Sequence, residues 1–150
     1  MKARELELLG KLVGDWTVDF SGKMPDGSSL EGKGTARAID LSMDRGVRTE
    51  LRLDAPGMGA YHEDDLWSFD QWEKKMHLYS ITSTGAVHDH SGRWKDDNTL
   101  ELHWEGLYEG KPSTEDVVFT WVGENEIRAH EVDTSEGKPG PVFDYVMKKQ

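Results

Sequence analysis

The sequence contains no cysteine, which excludes a disulfide framework, a thiolate nucleophile and any thiolate metal site. Chemistry, where there is any, falls to histidine, carboxylate, hydroxyl or lysine groups. Cations are scarce as well: 18 lysines and arginines stand against 29 aspartates and glutamates, a formal net charge of -11. A field of that sign repels phosphate backbones and anionic head groups, so nucleic acid and membrane surfaces are not expected partners. Long apolar runs are missing too. The segment up to Gly14 mixes Lys2 and Arg4 with Glu5 and Glu7 and offers no core for a signal peptide or a span. A cytoplasmic location is the expectation. With 150 residues, the chain is expected to form one domain over 1–150, burying roughly two thirds of the surface of its unfolded form.

What the chain does have is alternation. Leu6, Leu9, Leu12 and Val13 recur at helical spacing, so residues 3–13 are expected to form a short helix with one apolar face, capping one mouth of a barrel. From Trp16 the period becomes two, with Trp16, Val18 and Phe20 on one face and Asp15, Thr17, Asp19 and Ser21 on the other. Strands are expected at 15–24, 30–41, 47–54, 61–69, 75–82, 86–94, 99–106, 114–122, 126–133 and 141–148. Turn signals such as Pro25-Asp26-Gly27, Asp97-Asn98 and Gly137-Lys138-Pro139-Gly140 separate them. Short connections favour pairing between sequence neighbours. The expected fold is all-β: an antiparallel up-and-down barrel of about ten strands with a short N-terminal helix. In the 30–41 segment Gly32, Gly34, Ala36 and Ala38 give one face small groups only. Tight curvature and close packing are favoured there over room for a guest.

Gly14-Asp15-Trp16 after a short helix resembles the glycine-any-tryptophan signature of lipocalins and the wider calycin group, in which the tryptophan plugs one end of the barrel. Further landmarks are Leu66-Trp67-Ser68-Phe69-Asp70, Ile81-Thr82-Ser83-Thr84-Gly85, Gly92-Arg93-Trp94-Lys95-Asp96, Leu100-Glu101-Leu102 and Val146-Met147-Lys148-Lys149. Their order resembles that of a bacterial family of unknown function, number fifteen-seventy-nine. That resemblance implies a lipocalin-like or fatty-acid-binding-protein-like barrel and brings no established activity. More distantly the pattern is similar to nitrobindin, whose haem is held by a histidine near the end of the last strand. The corresponding segment here, Pro141 to Met147, has no histidine. Tyr145 is read instead as a core or lumen residue, and no cofactor is expected.

Matching apolar faces across each turn fixes hairpin registers, because a one-residue slip would reverse every side chain. Phe69 then faces Met76, Trp67 faces Leu78 and Asp65 faces Ser80. Next, Ser80 faces His88 and Leu78 faces His90, with Trp94 against Leu100, Gly92 against Leu102 and His90 against Trp104 one hairpin further on. The expected lumen carries Trp67, Phe69, Leu78, Leu102, Trp104, Phe119 and Trp121, with Asp65, Ser80, His88 and His90 as its polar patch. Glu101, His103 and Glu105 point outward, as do His77 and His130. The acidic run His62-Glu63-Asp64-Asp65 begins as a solvated strand edge.

His88-x-His90 puts two imidazoles on one strand face, a spacing able to chelate zinc, yet a metal site needs a third ligand. Asp65 is a candidate, and no metal is assigned. A Ser80 nucleophile is disfavoured, because the serine lies between His88 and the aspartate that would orient it. Three functions stay open. The first is binding of a small hydrophobic or amphipathic molecule through Asp65, Trp67, Ser80, His88, His90, Trp104, Phe119 and Tyr145. The second is an isomerase, cyclase or decarboxylase with Asp65 and His88 as acid and base. The third is a filled barrel acting through its surface, with a homo-oligomer in view.

Overall fold

A computed structural model describes residues 2–150. The chain opens with α1 (Arg4–Leu9), and a 3-10 turn over Gly10–Leu12 completes the expected helix. Gly10 divides the two, its backbone N–H serving the carbonyls of Leu6 and Leu8. Ten strands make up the rest: β1 (Gly14–Lys23), β2 (Ser29–Asp40), β3 (Gly46–Ala55), β4 (Gly59–Asp70), β5 (Lys75–Thr82), β6 (Val87–Asp96), β7 (Thr99–Tyr108), β8 (Lys111–Trp121), β9 (Glu126–Ser135) and β10 (Lys138–Lys149). Each pairs antiparallel with its sequence neighbour, and β1 also pairs with β10, so the sheet closes into an up-and-down barrel without a free edge.

The strands lie within two residues of where alternation put them, with two larger differences. β8 begins at Lys111 rather than 114, and β10 at Lys138 rather than 141. Both extensions contain proline, which removes a ladder donor and hides a strand from pattern reading. In β10 the register shifts between Pro139 and Val142, a bulge that absorbs the two prolines.

Pairing observed across β4, β5 and β6 sets Phe69 against Met76, Trp67 against Leu78, Asp65 against Ser80, Ser80 against His88 and Leu78 against His90. Between β6 and β7 it sets Trp94 against Leu100 and Gly92 against Leu102. The small face of β2 is a packing device. A methyl group on Gly34 would lie 1.8 Å from the Arg52 carbonyl oxygen, and one on Gly32 2.7 Å from that of Asp54. β2 thus lies against the β3 backbone too closely for side chains, which bends the wall and leaves no guest space there.

The two ends of the barrel differ. At the end where β1 begins, Trp16 is fully buried and its Nε1 donates to the Leu12 carbonyl at 2.8 Å. Leu6, Leu9 and Leu12 pack with Val47, Trp67, Phe69, Met76, Leu100, Trp121 and Ile127 into one apolar cluster. The helix and the tryptophan close this end. The end where β1 finishes stays open, and the polar side chains of the lumen gather there.

Candidate functional site

The open half of the lumen holds a cavity of about 440 Å³, within the size range of small-molecule sites. Inward positions of six strands build its polar wall: Tyr61 and Glu63 from β4, Ser80 from β5, His88 and His90 from β6, Trp104 from β7, Glu115 from β8, Glu131 and Asp133 from β9. Phe20, Leu53, Phe143 and Tyr145 supply the opposite, mainly apolar side, where Phe20 stacks on Phe143 at 5.5 Å. No lysine or arginine lines the cavity among the described residues.

Glu115 is the hub. Its Oε1 accepts a 2.6 Å hydrogen bond from His88 Nδ1 and lies 3.6 Å from His90 Nε2. Burial pushes the Glu115 carboxyl up, but the His88 hydrogen bond and the charges of the adjacent His88 and His90 imidazoles outweigh it and hold it down at about 2. The His88 ring stacks on Trp104 with centroids 3.6 Å apart, which fixes its plane. His90 is 6% exposed, and neither of its ring nitrogens has a hydrogen-bond partner. A buried imidazole left this way is unusual, since buried polar atoms are paired as a rule.

The remaining carboxyls have no such support. Burial, with the charges of Asp133 and Glu115 next, pushes Glu131 well above the usual carboxylate range. Burial and the Glu115 charge raise Asp133 to about 7. Tyr61 donates to Glu63 Oε2 at 2.5 Å, and burial, then the Glu63 charge, raises its phenol. Tyr145 is raised too, by burial first and then by Glu131. Several acids therefore share a space without lysine or arginine, and the charge of Glu115 makes both Glu131 and Asp133 harder to ionise.

Of the residues singled out in the sequence, Ser80, His88, His90, Trp104 and Tyr145 line the cavity. Asp65, Trp67 and Phe119 sit beyond its floor. Asp65 is 6% exposed, its Oδ2 accepts from Thr49 Oγ1 at 2.9 Å, and Thr49 Oγ1 in turn accepts from Trp67 Nε1 at 3.0 Å. Burial and the Glu63 charge hold the Asp65 carboxyl well above its ordinary value. Phe119 packs edge-on against Trp67 at 5.1 Å. The carboxylate beside His88 is thus Glu115, not Asp65. On the outer wall His77, His103 and His130 pair across the ladders with Asp89, Asp116 and Asp144 at 2.9, 2.7 and 2.7 Å.

No protein-family model matches the chain, and no curated protein does. Among solved structures it is similar to Rv2717c from M. tuberculosis, with 16% identity and a TM-score of 0.76 over all of this chain and 99% of that one. It is also similar to the S-type phycobiliprotein lyase CPES from Guillardia theta, at 13% identity and a TM-score of 0.64 over 96% of this chain and 91% of that one. At such identities the likeness is one of fold, a lipocalin-like barrel, and carries no activity across.

Four carboxyl residues of the site escaped the sequence reading: Glu63, Glu115, Glu131 and Asp133. The signal for them was present. Glu115 alternates in phase with Val117, Phe119 and Trp121, Glu131 and Asp133 with Ile127 and Ala129, and Glu63 with Asp65 and Trp67. Their charge argued for solvent, whereas their parity argued for the lumen. Parity prevailed, because the open mouth lets the wall become polar there without breaking the strand pattern.

Proposed function

We propose that the protein binds a small amphipathic organic molecule through the open mouth, apolar part against Phe20, Leu53 and Phe143, hydrogen-bond-donating or cationic part toward Glu131 and Asp133. The carrying observation is the cavity itself: about 440 Å³ with one apolar side, one carboxyl-rich side and no lysine or arginine in its lining. Carboxyls in a low-dielectric cleft are expensive to keep charged, and a protonated amine offsets that expense more than a neutral or anionic group can. This narrows the mostly apolar ligand expected from sequence. Catalysis by an Asp65–His88 pair gains no support, since Asp65 does not line the cavity.

Titration of 15N-labelled, chelator-treated protein with an arylalkylamine and with the carboxylate of equal size tests the proposal. The amine is expected to shift the amides of Ser80, Tyr108, Gly140 and Tyr145, and the carboxylate to leave them in place. Equal response to both, or none to either, would defeat the reading. The same proposal takes 1–150 as one domain and places it in the cytoplasm; no helix among the described residues is long and apolar enough to cross a membrane. For a homo-oligomer, support lies in the outward pairs Leu66–Tyr79 and Ile81–Val87, all more than 40% exposed. Light scattering on the eluting protein tests that part.

A further inference from the structure

His88, His90 and Glu115 present donor atoms that all lie within 4.8 Å of one another. Sequence pairing supplied the two histidines and offered Asp65 as a third ligand; the structure instead brings in Glu115 of β8, paired across the ladder with Trp104. We infer that these three residues form a site for a divalent first-row transition metal such as zinc, open toward the cavity. The inference deepens the pocket reading above and rests on it, because the ion's free positions face the space assigned to the organic molecule.

Geometry supports the ion in three ways. Metal–ligand bonds of about 2.0–2.2 Å place neighbouring donors of a tetrahedral site roughly 3.3–3.5 Å apart. His90 Nε2 and Glu115 Oε1 stand at 3.6 Å already. His88 Nδ1 and Glu115 Oε1, at 2.6 Å, must part by less than roughly 1 Å, which small side-chain rotations supply when a metal ion replaces the shared proton. The second support is His90: an imidazole 6% exposed, neither nitrogen of which makes a hydrogen bond, with Nε2 3.6 Å from the Glu115 carboxylate. The third is the surroundings. Asp133 and Glu131 lie with Glu115 in a second donor group of the same span, and Asp133 Oδ1 is buried without a partner. A dication there compensates carboxylates that no lysine or arginine of the lining neutralises.

Two imidazoles and one carboxylate, with coordination positions left free beside a cavity, are the ligand set of open sites rather than of closed structural ones. Trp104, stacked on His88, fixes the ring plane as outer-shell partners do. The group Asp70, Glu73 and His77 on the outer wall also brings donors together, but His77 Nδ1 is already bonded to Asp89. It serves as the control.

The full chain, freed of metal by chelator, is titrated calorimetrically with zinc chloride and separately with cobalt chloride, read by visible absorption; no organic ligand is present. One equivalent is expected to bind. His90→Gln and Glu115→Gln should each weaken binding by more than roughly 100-fold, beyond the loss usual for outer-shell changes, while His77→Gln leaves it unchanged. Near-UV circular dichroism reports whether each variant is folded. Should either misfold, ring-nitrogen NMR of the wild type decides: zinc must shift the His88 and His90 nitrogens and spare those of His103. Absence of one-equivalent binding, its loss in His77→Gln, or unmoved His88 and His90 nitrogens would overturn the site. The amine titration of chelated protein stands apart from all these measurements, so the failure of one reading is not mistaken for failure of the other.

Discussion

The plugged end and the open end use the same strands to opposite purposes. At the plugged end the inward positions of β1, β4, β8 and β9 carry Trp16, Trp67, Trp121 and Ile127, each at most 4% exposed. A few residues further along, toward the mouth, those of β4, β8 and β9 carry Glu63, Glu115, Glu131 and Asp133. One end stores the stability that lets the other hold groups which repel one another. Interior order and interior chemistry are thereby separated along a single axis.

That division can be broken first at the plug. Trp16→Ala is expected to cost about 3–5 kcal/mol, from lost packing, a cavity and an orphaned Leu12 carbonyl. Urea unfolding reads it, and a cost below about 1 kcal/mol would show the plug to be ornamental. Next is Gly34→Ala in the wall, whose methyl group meets the Arg52 carbonyl at 1.8 Å. About 3 kcal/mol should be lost, the upper end of overpacking, as seen in the same unfolding midpoint.

At the mouth the sign reverses. Glu131→Gln removes a half-buried acid crowded by Asp133 and Glu115 and should raise metal-free stability near pH 8 by about 1 kcal/mol. A destabilised variant would mean that the carboxylate is compensated after all. The smallest effect is a slope. Asp65 is raised above its ordinary 3.8, so between that value and its folded pKa the native protein holds a proton that the unfolded chain has released. Stability must then fall as pH rises through that window. Urea midpoints taken between about pH 5 and pH 8 should decline, and less steeply in Asp65→Asn. An identical slope in both proteins would remove Asp65 as a contributor.

Sequence parity sufficed for the ladders from β4 to β7, since apolar faces such as Trp67 and Leu78 admit a single register. It sufficed less at Pro112, Pro139 and Pro141, where strand continues through residues that cannot donate. The site was half legible. His88 and His90 announced themselves by spacing, but Glu115 lies on β8, and its nearness to His88 depends on curvature across an intervening strand, which no local pattern encodes.

Closure of the sheet also sets an order of events. Trp16 pairs with Lys149, and the Gln150 N–H reaches the Asp15 carbonyl. The first strand therefore has to wait for the last. While a ribosome is still making the chain, β1 and β9 expose bare backbone and the indole of Trp16 has an incomplete wall to enter. Folding of such non-local topologies is slow, and partly made chains are open to strand addition from their neighbours. The surplus of negative charge on this protein would then act earliest on the nascent chain, holding unfinished copies apart until the barrel can shut.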